Sequence, residues 1–143
     1  MLKMTDKVVF HFDIDGDNFT SAGEASVRIK KLLREMGFSP DTIRRVSVAM
    51  YEGEINMVIH ANGGDADVEV YEDRIEIILA DRGPGIPNID LAMHEGYSTA
   101  PDNIRSLGFG AGLGLPNMKR YTDEMRIESA LGVGTTIYMT VRT

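Results

Sequence analysis

Apolar and polar residues change their rhythm several times along the chain, and each change marks an element. From Lys7 to Ile14 they alternate, with Phe10, Phe12 and Ile14 set against His11 and Asp13, the period of a strand with one buried face. Asp15-Gly16-Asp17 ends it. The rhythm then lengthens: Ala22, Ala25, Ile29, Leu32, Leu33 and Met36 recur at spacings of three and four, which predicts an amphipathic helix. Ser21 and Glu24 read as its capping box, and Gly37 as its stop. Ser39-Pro40 supplies a cap and a first-turn proline for a second helix, which Ile43, Val46, Met50 and Met57 carry to about Ala61, where Asn62-Gly63-Gly64 ends it.

Alternation returns at Ala66, Val68 and Val70, turns at Glu72-Asp73 and resumes at Ile75, Ile77 and Leu79, predicting a hairpin. The stretch from about Arg82 to Gly112 shows no period; aperiodic loops of such length in compact domains serve as lids or binding segments. A third helix is expected from Leu113 to Thr122. Strands from Arg126 to Ala130 and from Thr135 to Val141 follow, joined by Leu131-Gly132-Val133-Gly134. The order β-α-α-β-β-loop-α-β-β predicts an α+β, two-layer α/β sandwich: a mixed, mainly antiparallel sheet covered on one face by helices.

Composition narrows the function. A length of 143 residues suits one domain spanning 1–143, and 43% hydrophobic with 26% charged residues is globular composition. The absence of cysteine excludes disulfides, zinc-thiolate sites and thiol catalysis. No apolar run reaches the roughly 18 residues of a membrane helix, so a cytoplasmic protein without a membrane partner is expected. With 15 Lys and Arg against 22 Asp and Glu, the net charge of −7 argues against nucleic acid, which needs a cationic patch. Yet seven of the 15 glycines (83, 85, 96, 108, 110, 112 and 114) and three of the five prolines fall between Gly83 and Gly114.

Four groups of residues carry candidate chemistry. Glu52 and Asn56 lie one turn apart on the second helix, and His60 continues their stripe. Asn offers a neutral oxygen to a hard cation such as Mg²⁺, and Glu can accept a proton from a hydroxyl; the plain alternative makes Glu52, Glu54 and Asn56 a solvated face. Gly53 between them costs about 1 kcal/mol in a helix and so implies close approach of a neighbour or ligand. Asp81 ends a strand and opens Asp81-Arg82-Gly83-Pro84-Gly85-Ile86, where a carboxylate can accept from an exocyclic amine and glycines admit a flat ring; a simple turn also fits. Gly108-Phe109-Gly110-Ala111-Gly112-Leu113-Gly114 exposes successive amides before a helix N-terminus, an arrangement that holds phosphate without basic side chains, though a mobile loop has the same composition. Gly134-Thr135-Thr136 starts the last strand and could back Asp81 with a hydroxyl. His11, His60 and His94 share no ligand spacing, so no transition-metal site is expected.

In order and spacing from Glu52 to Thr136, these groups resemble the N, G1, G2 and G3 boxes of the histidine-kinase/gyrase/Hsp90-like ATPases, the Bergerat fold. A chain of little more than that domain is most similar to the bacterial anti-sigma-factor serine/threonine kinases and switch kinases of partner-switching systems. Asp81-Arg82-Gly83-Pro84-Gly85-Ile86-Pro87 and Glu95-Gly96-Tyr97-Ser98-Thr99 look like the switch-kinase branch, whereas Arg105 to Gly114 is longer than a minimal member requires.

The resemblance implies ATP and Mg²⁺ as cofactors and a protein serine/threonine kinase activity. Asp81, Gly83, Gly85, Ile86 and Thr135 would take the adenine end, and Gly108, Gly110, Gly112, Leu113 and Gly114 the phosphates. Asn56 would hold Mg²⁺, Glu52 would be the catalytic base, and residues 97–109 the ATP lid, with Arg105 either on the terminal phosphate or in solvent. The implied partner is a STAS-domain anti-sigma-factor antagonist; anti-sigma members also bind a sigma factor, and many form homodimers. Three other readings stay open: a non-catalytic ATP-gated protein-binding regulator, the detached catalytic domain of a sensor histidine kinase, and a small interaction protein with a glycine-rich loop. The histidine-kinase reading ranks lower because no helical hairpin with a phospho-acceptor histidine is legible.

Overall fold

The computed structural model describes residues 7–16, 22–61, 63–86, 88–93 and 114–143. Five strands, β1 (Val8–Asp15), β2 (Gly63–Val70), β3 (Arg74–Asp81), β4 (Glu124–Ala130) and β5 (Gly134–Arg142), form one sheet in the order β1-β2-β3-β5-β4. Four helices accompany them among the described residues: α1 (Glu24–Glu35), α2 (Pro40–His60), α3 (Ile89–Ala92) and α4 (Gly114–Tyr121). The α+β two-layer sandwich is the expected one, and each of the four strand pairings is antiparallel.

Alternation on the strands sorts the two faces. Ala66, Val68 and Val70 of β2, Ile75, Ile77 and Leu79 of β3, and Ile137, Met139 and Val141 of β5 are buried under the helices. Ile29 and Leu33 of α1, Val46, Ala49, Met50 and Met57 of α2, and Leu115 and Met118 of α4 fill the facing layer. The opposite face carries His11, Asp13, Asp65, Asp67, Glu69 and Glu76, as period-two side-chain direction requires. Gly53 explains how α2 sits so close to the sheet: a Cβ there would stand 2.0 Å from Leu79 Cδ1. The neighbour that needed the missing side chain is therefore β3.

Three sequence expectations change. The predicted Ser21/Glu24 capping box gives way to Gly23 as the N-cap of α1, at φ 98° and without a side-chain cap; Ser21 itself lies outside the described residues. Instead the cap arrives from α2, where Glu54 accepts from the backbone N–H groups of Gly23 (3.0 Å), Ala25 (3.2 Å) and Ser26 (2.6 Å). Glu54 is 1% exposed, so the solvated-face reading fails for it. The aperiodic stretch also contains α3, which is opened by Asn88 accepting from Leu91 N–H at 3.0 Å. By contrast α2 begins where Ser39-Pro40 implied, with Ser39 Oγ accepting from Thr42 N–H at 3.2 Å.

Candidate functional site

Two groups of site residues converge where α2 and α4 meet the ends of β3 and β5. On α2, Glu52 and Asn56 face α4. Asn117 Nδ2 donates to Glu52 Oε1 at 3.4 Å, and one turn away a Cβ on Gly114 would lie 2.9 Å from Asn56 Oδ1 and 3.0 Å from its Nδ2. The amide of Asn56 thus rests on the backbone at the N-terminus of α4, where unpaired N–H groups favour negative charge. Burial pushes the Glu52 carboxyl above the usual carboxylate range, and the long hydrogen bond from Asn117 opposes that only in part. A half-buried carboxylate raised in this way is suited to accepting a proton.

The second group begins at Asp81, the last residue of β3. Its Oδ1 accepts from Gly83 N–H and from Thr135 N–H, both at 2.9 Å, so the carboxylate joins the following turn to the start of β5. Oδ2 has no hydrogen-bond partner among the described residues. Gly134 makes the junction possible, since a Cβ there would stand 2.2 Å from the Asp81 carbonyl oxygen. Gly85, at φ 85°, packs the turn against the β4–β5 connection, where a Cβ would meet Ala130 O at 2.7 Å. Ile86 N–H donates to Ser129 Oγ at 2.7 Å, and Ser129 Oγ lies 2.9 Å from Thr135 Oγ1.

The two groups are tied together by packing. A Cβ on Gly64, opposite Asp81 in the β2–β3 register, would stand 2.7 Å from Met57 Cε and 2.8 Å from Asp81 Cα. The residue after Asn56 and the backbone of Asp81 are therefore separated by a single glycine of β2.

Of the predicted site residues, Glu52, Asn56, Asp81, Gly83, Gly85, Ile86, Gly114 and Thr135 belong to these two groups. Gly108, Gly110, Gly112 and Leu113, together with the expected lid 97–109 and its Arg105, lie outside the described residues. Asn117 and Ser129 join these groups without belonging to any motif in the sequence. Asn117 stood three residues beyond the glycine run, the one available signal; Ser129 is an ordinary strand residue until β4 folds beside β5.

Residues 41–143 match the model of the histidine kinase-, DNA gyrase B-, and HSP90-like ATPases, and the chain belongs to that family. Within it, the chain is 35% identical over 112 residues to the serine/threonine-protein kinase RsbT of Bacillus subtilis, covering 76% of this chain and 78% of the relative. It is 31% identical over 122 residues to the anti-sigma F factor of Priestia megaterium, covering 80% of each. A solved structure containing RsbU and RsbW domains from Mycobacterium tuberculosis superposes at a TM-score of 0.66 and 18% identity. That alignment covers 94% of this chain and only 32% of the longer one, and it speaks for the fold. No helix among the described residues is long and apolar enough to cross a membrane.

Proposed function

We propose that this protein is an ATP- and Mg²⁺-dependent serine/threonine kinase of the anti-sigma and switch-kinase type, acting on a STAS-domain partner and regulating it by partner switching. One observation carries the reading: a half-buried Glu52 stands one turn from Asn56, which rests on the start of α4. Relatives named as a serine/threonine kinase and as anti-sigma factors support it. The whole chain is read as one such domain, working in the cytoplasm; a sigma factor and a second copy of the chain are further partners of this reading.

The residues present fit the cofactors. Asp81 has one oxygen fixed by backbone and the other free for the adenine amine, while Thr135 stands beside it. Asn56 offers the neutral oxygen that Mg²⁺ takes. Backbone amides at the start of α4, extended in this reading by those of Gly108, Gly110, Gly112 and Leu113, would hold phosphate. ATP supplies the terminal phosphoryl group when bound. Glu52 accepts the proton of the partner's serine or threonine hydroxyl as that oxygen bonds to phosphorus and the bond to ADP breaks; positioning and charge stabilisation do the rest.

The test is transfer from labelled ATP to a panel of STAS-domain proteins by wild type and E52A, with ATP affinity measured in parallel. Loss of a general base lowers transfer by roughly 10²–10⁴-fold. ATP affinity is expected to be unchanged. Wild-type transfer by E52A would remove the assigned role, and a wild type that binds ATP without transferring phosphate would be a nucleotide-gated binder instead.

A further inference from the structure

Among the described residues, Ser129 is the one hydroxyl at the Asp81 end of the site that no assigned role uses. Its Oγ accepts the Ile86 N–H at 2.7 Å. Its own proton then has two acceptors within reach, Thr135 Oγ1 at 2.9 Å and Gly134 O at 3.4 Å. Hydroxyl bonds lie at about 2.5–3.0 Å, so the contact with Thr135 Oγ1 is the stronger of the two, and either hydroxyl can donate across it. Thr135 is 5% exposed and its hydroxyl has no other partner among the described residues. When Ser129 is the donor, Thr135 has a proton left to give and nothing in the described protein to receive it.

We infer that Ser129 is a positioning residue that sets the polarity of Thr135, making it a hydrogen-bond donor beside the acceptor Asp81 and so selecting adenine over 6-oxopurines. The inference rests on the reading of Asp81 as the base-binding residue. Adenine presents an N6 amine donor next to an N1 acceptor, which matches an Asp acceptor beside a Thr donor. Hypoxanthine presents the reverse, an O6 acceptor next to an N1–H donor. A Thr135 free to turn would serve either edge. Ser129 holds it to one, and through the Ile86 amide it fixes the same turn that carries Gly83 and Gly85.

Calorimetric affinities for ATP and ITP in wild type, S129A, S129T and D81N test this, with hydrogen exchange at the Ile86 amide followed in nucleotide-free protein. In S129A the Ile86 amide exchanges faster and the preference for ATP over ITP falls by about tenfold, the worth of one well-placed hydrogen bond; S129T restores both. Should S129A lose its thermal transition, S129C takes its place in the same comparison. A folded S129A or S129C that keeps the wild-type ATP/ITP ratio overturns the inference and leaves the nucleotide reading standing. If D81N binds ATP as wild type does, the base-binding reading itself fails, and the inference with it.

Discussion

Glu52 and Glu54 stand two positions apart on α2, and burial raises both carboxyls, yet their surroundings give them opposite work. Glu54 is closed in by three backbone N–H donors, all of which stabilise its charged form and offset part of the burial cost. Among the described residues Glu52 has one long contact, to a neutral amide. The group with fewer partners is the one free to take up a proton. A consequence follows for pH. In the proposed role Glu52 must be deprotonated for transfer, so the rate is expected to rise with pH through its pKa, which burial holds above the ordinary carboxylate range. Replacing Asn117 with Leu removes the one hydrogen bond favouring the charged form and moves the acid limb of the rate profile to higher pH. A limb unmoved in N117L, measured at saturating ATP and partner, would detach Asn117 from Glu52.

At the scale of elements, α1 depends on α2 for its beginning. Its N-cap is a glycine with φ 98° and no side chain, so the free N–H groups of the first turn are satisfied by a carboxylate 28 to 31 residues away. E54A leaves three buried donors without that partner, and stability is expected to fall by about 1–3 kcal/mol. Amide exchange should accelerate selectively at Gly23, Ala25 and Ser26. Exchange at those amides unchanged in a destabilised E54A would mean that the loss came from packing instead.

This dependence also marks the limit of what the sequence displays. Ser39-Pro40, the stop at Gly37 and the alternation in β1, β2 and β3 are readable because their partners lie within a few residues or on a repeating face. The places of Glu52 and Asn56 on α2 and of Asp81 at the end of β3 were legible for the same reason. Glu54 looked like surface because its charge suggested water and its partners belong to another helix. Four-residue α3 is too short to show a period, and Ser129 acquires meaning only from the β4–β5 register that places it beside Thr135.

Over the whole molecule the net charge of −7 is unevenly spread: α1 carries Arg28, Lys30, Lys31 and Arg34 against Glu24 and Glu35, while the face of β1 and β2 turned away from α1 and α2 carries Asp13, Asp65, Asp67 and Glu69. His11 stands among these carboxylates, with Nδ1 2.6 Å from Asp67 and Nε2 3.2 Å from Asp13 and 3.6 Å from Asp65. The cluster was invisible to a search for spacing between histidines, because the register pairs His11 with Asp67 and Asp13 with Asp65 across two strands. The hydrogen bond to Asp67, then that to Asp13, raise the His11 pKa above its ordinary value. A folded pKa above the unfolded one means that the native state binds the proton more tightly, so this stabilisation is complete below about pH 6.5 and is lost as pH rises through the folded value. Neutral His11 leaves three carboxylates facing one another across the pair that holds edge strand β1, with the Arg82 guanidinium 3.7 Å from Asp65 as the nearby cation. Urea midpoints should therefore fall on the alkaline side of pH 6.5 in wild type, and fall less steeply in H11Q. About 1 M salt should flatten the wild-type slope, since the Debye length is then near 3 Å and these groups are exposed. Equal slopes for wild type and H11Q at low salt would show that the cluster does not couple protonation to the hold on β1.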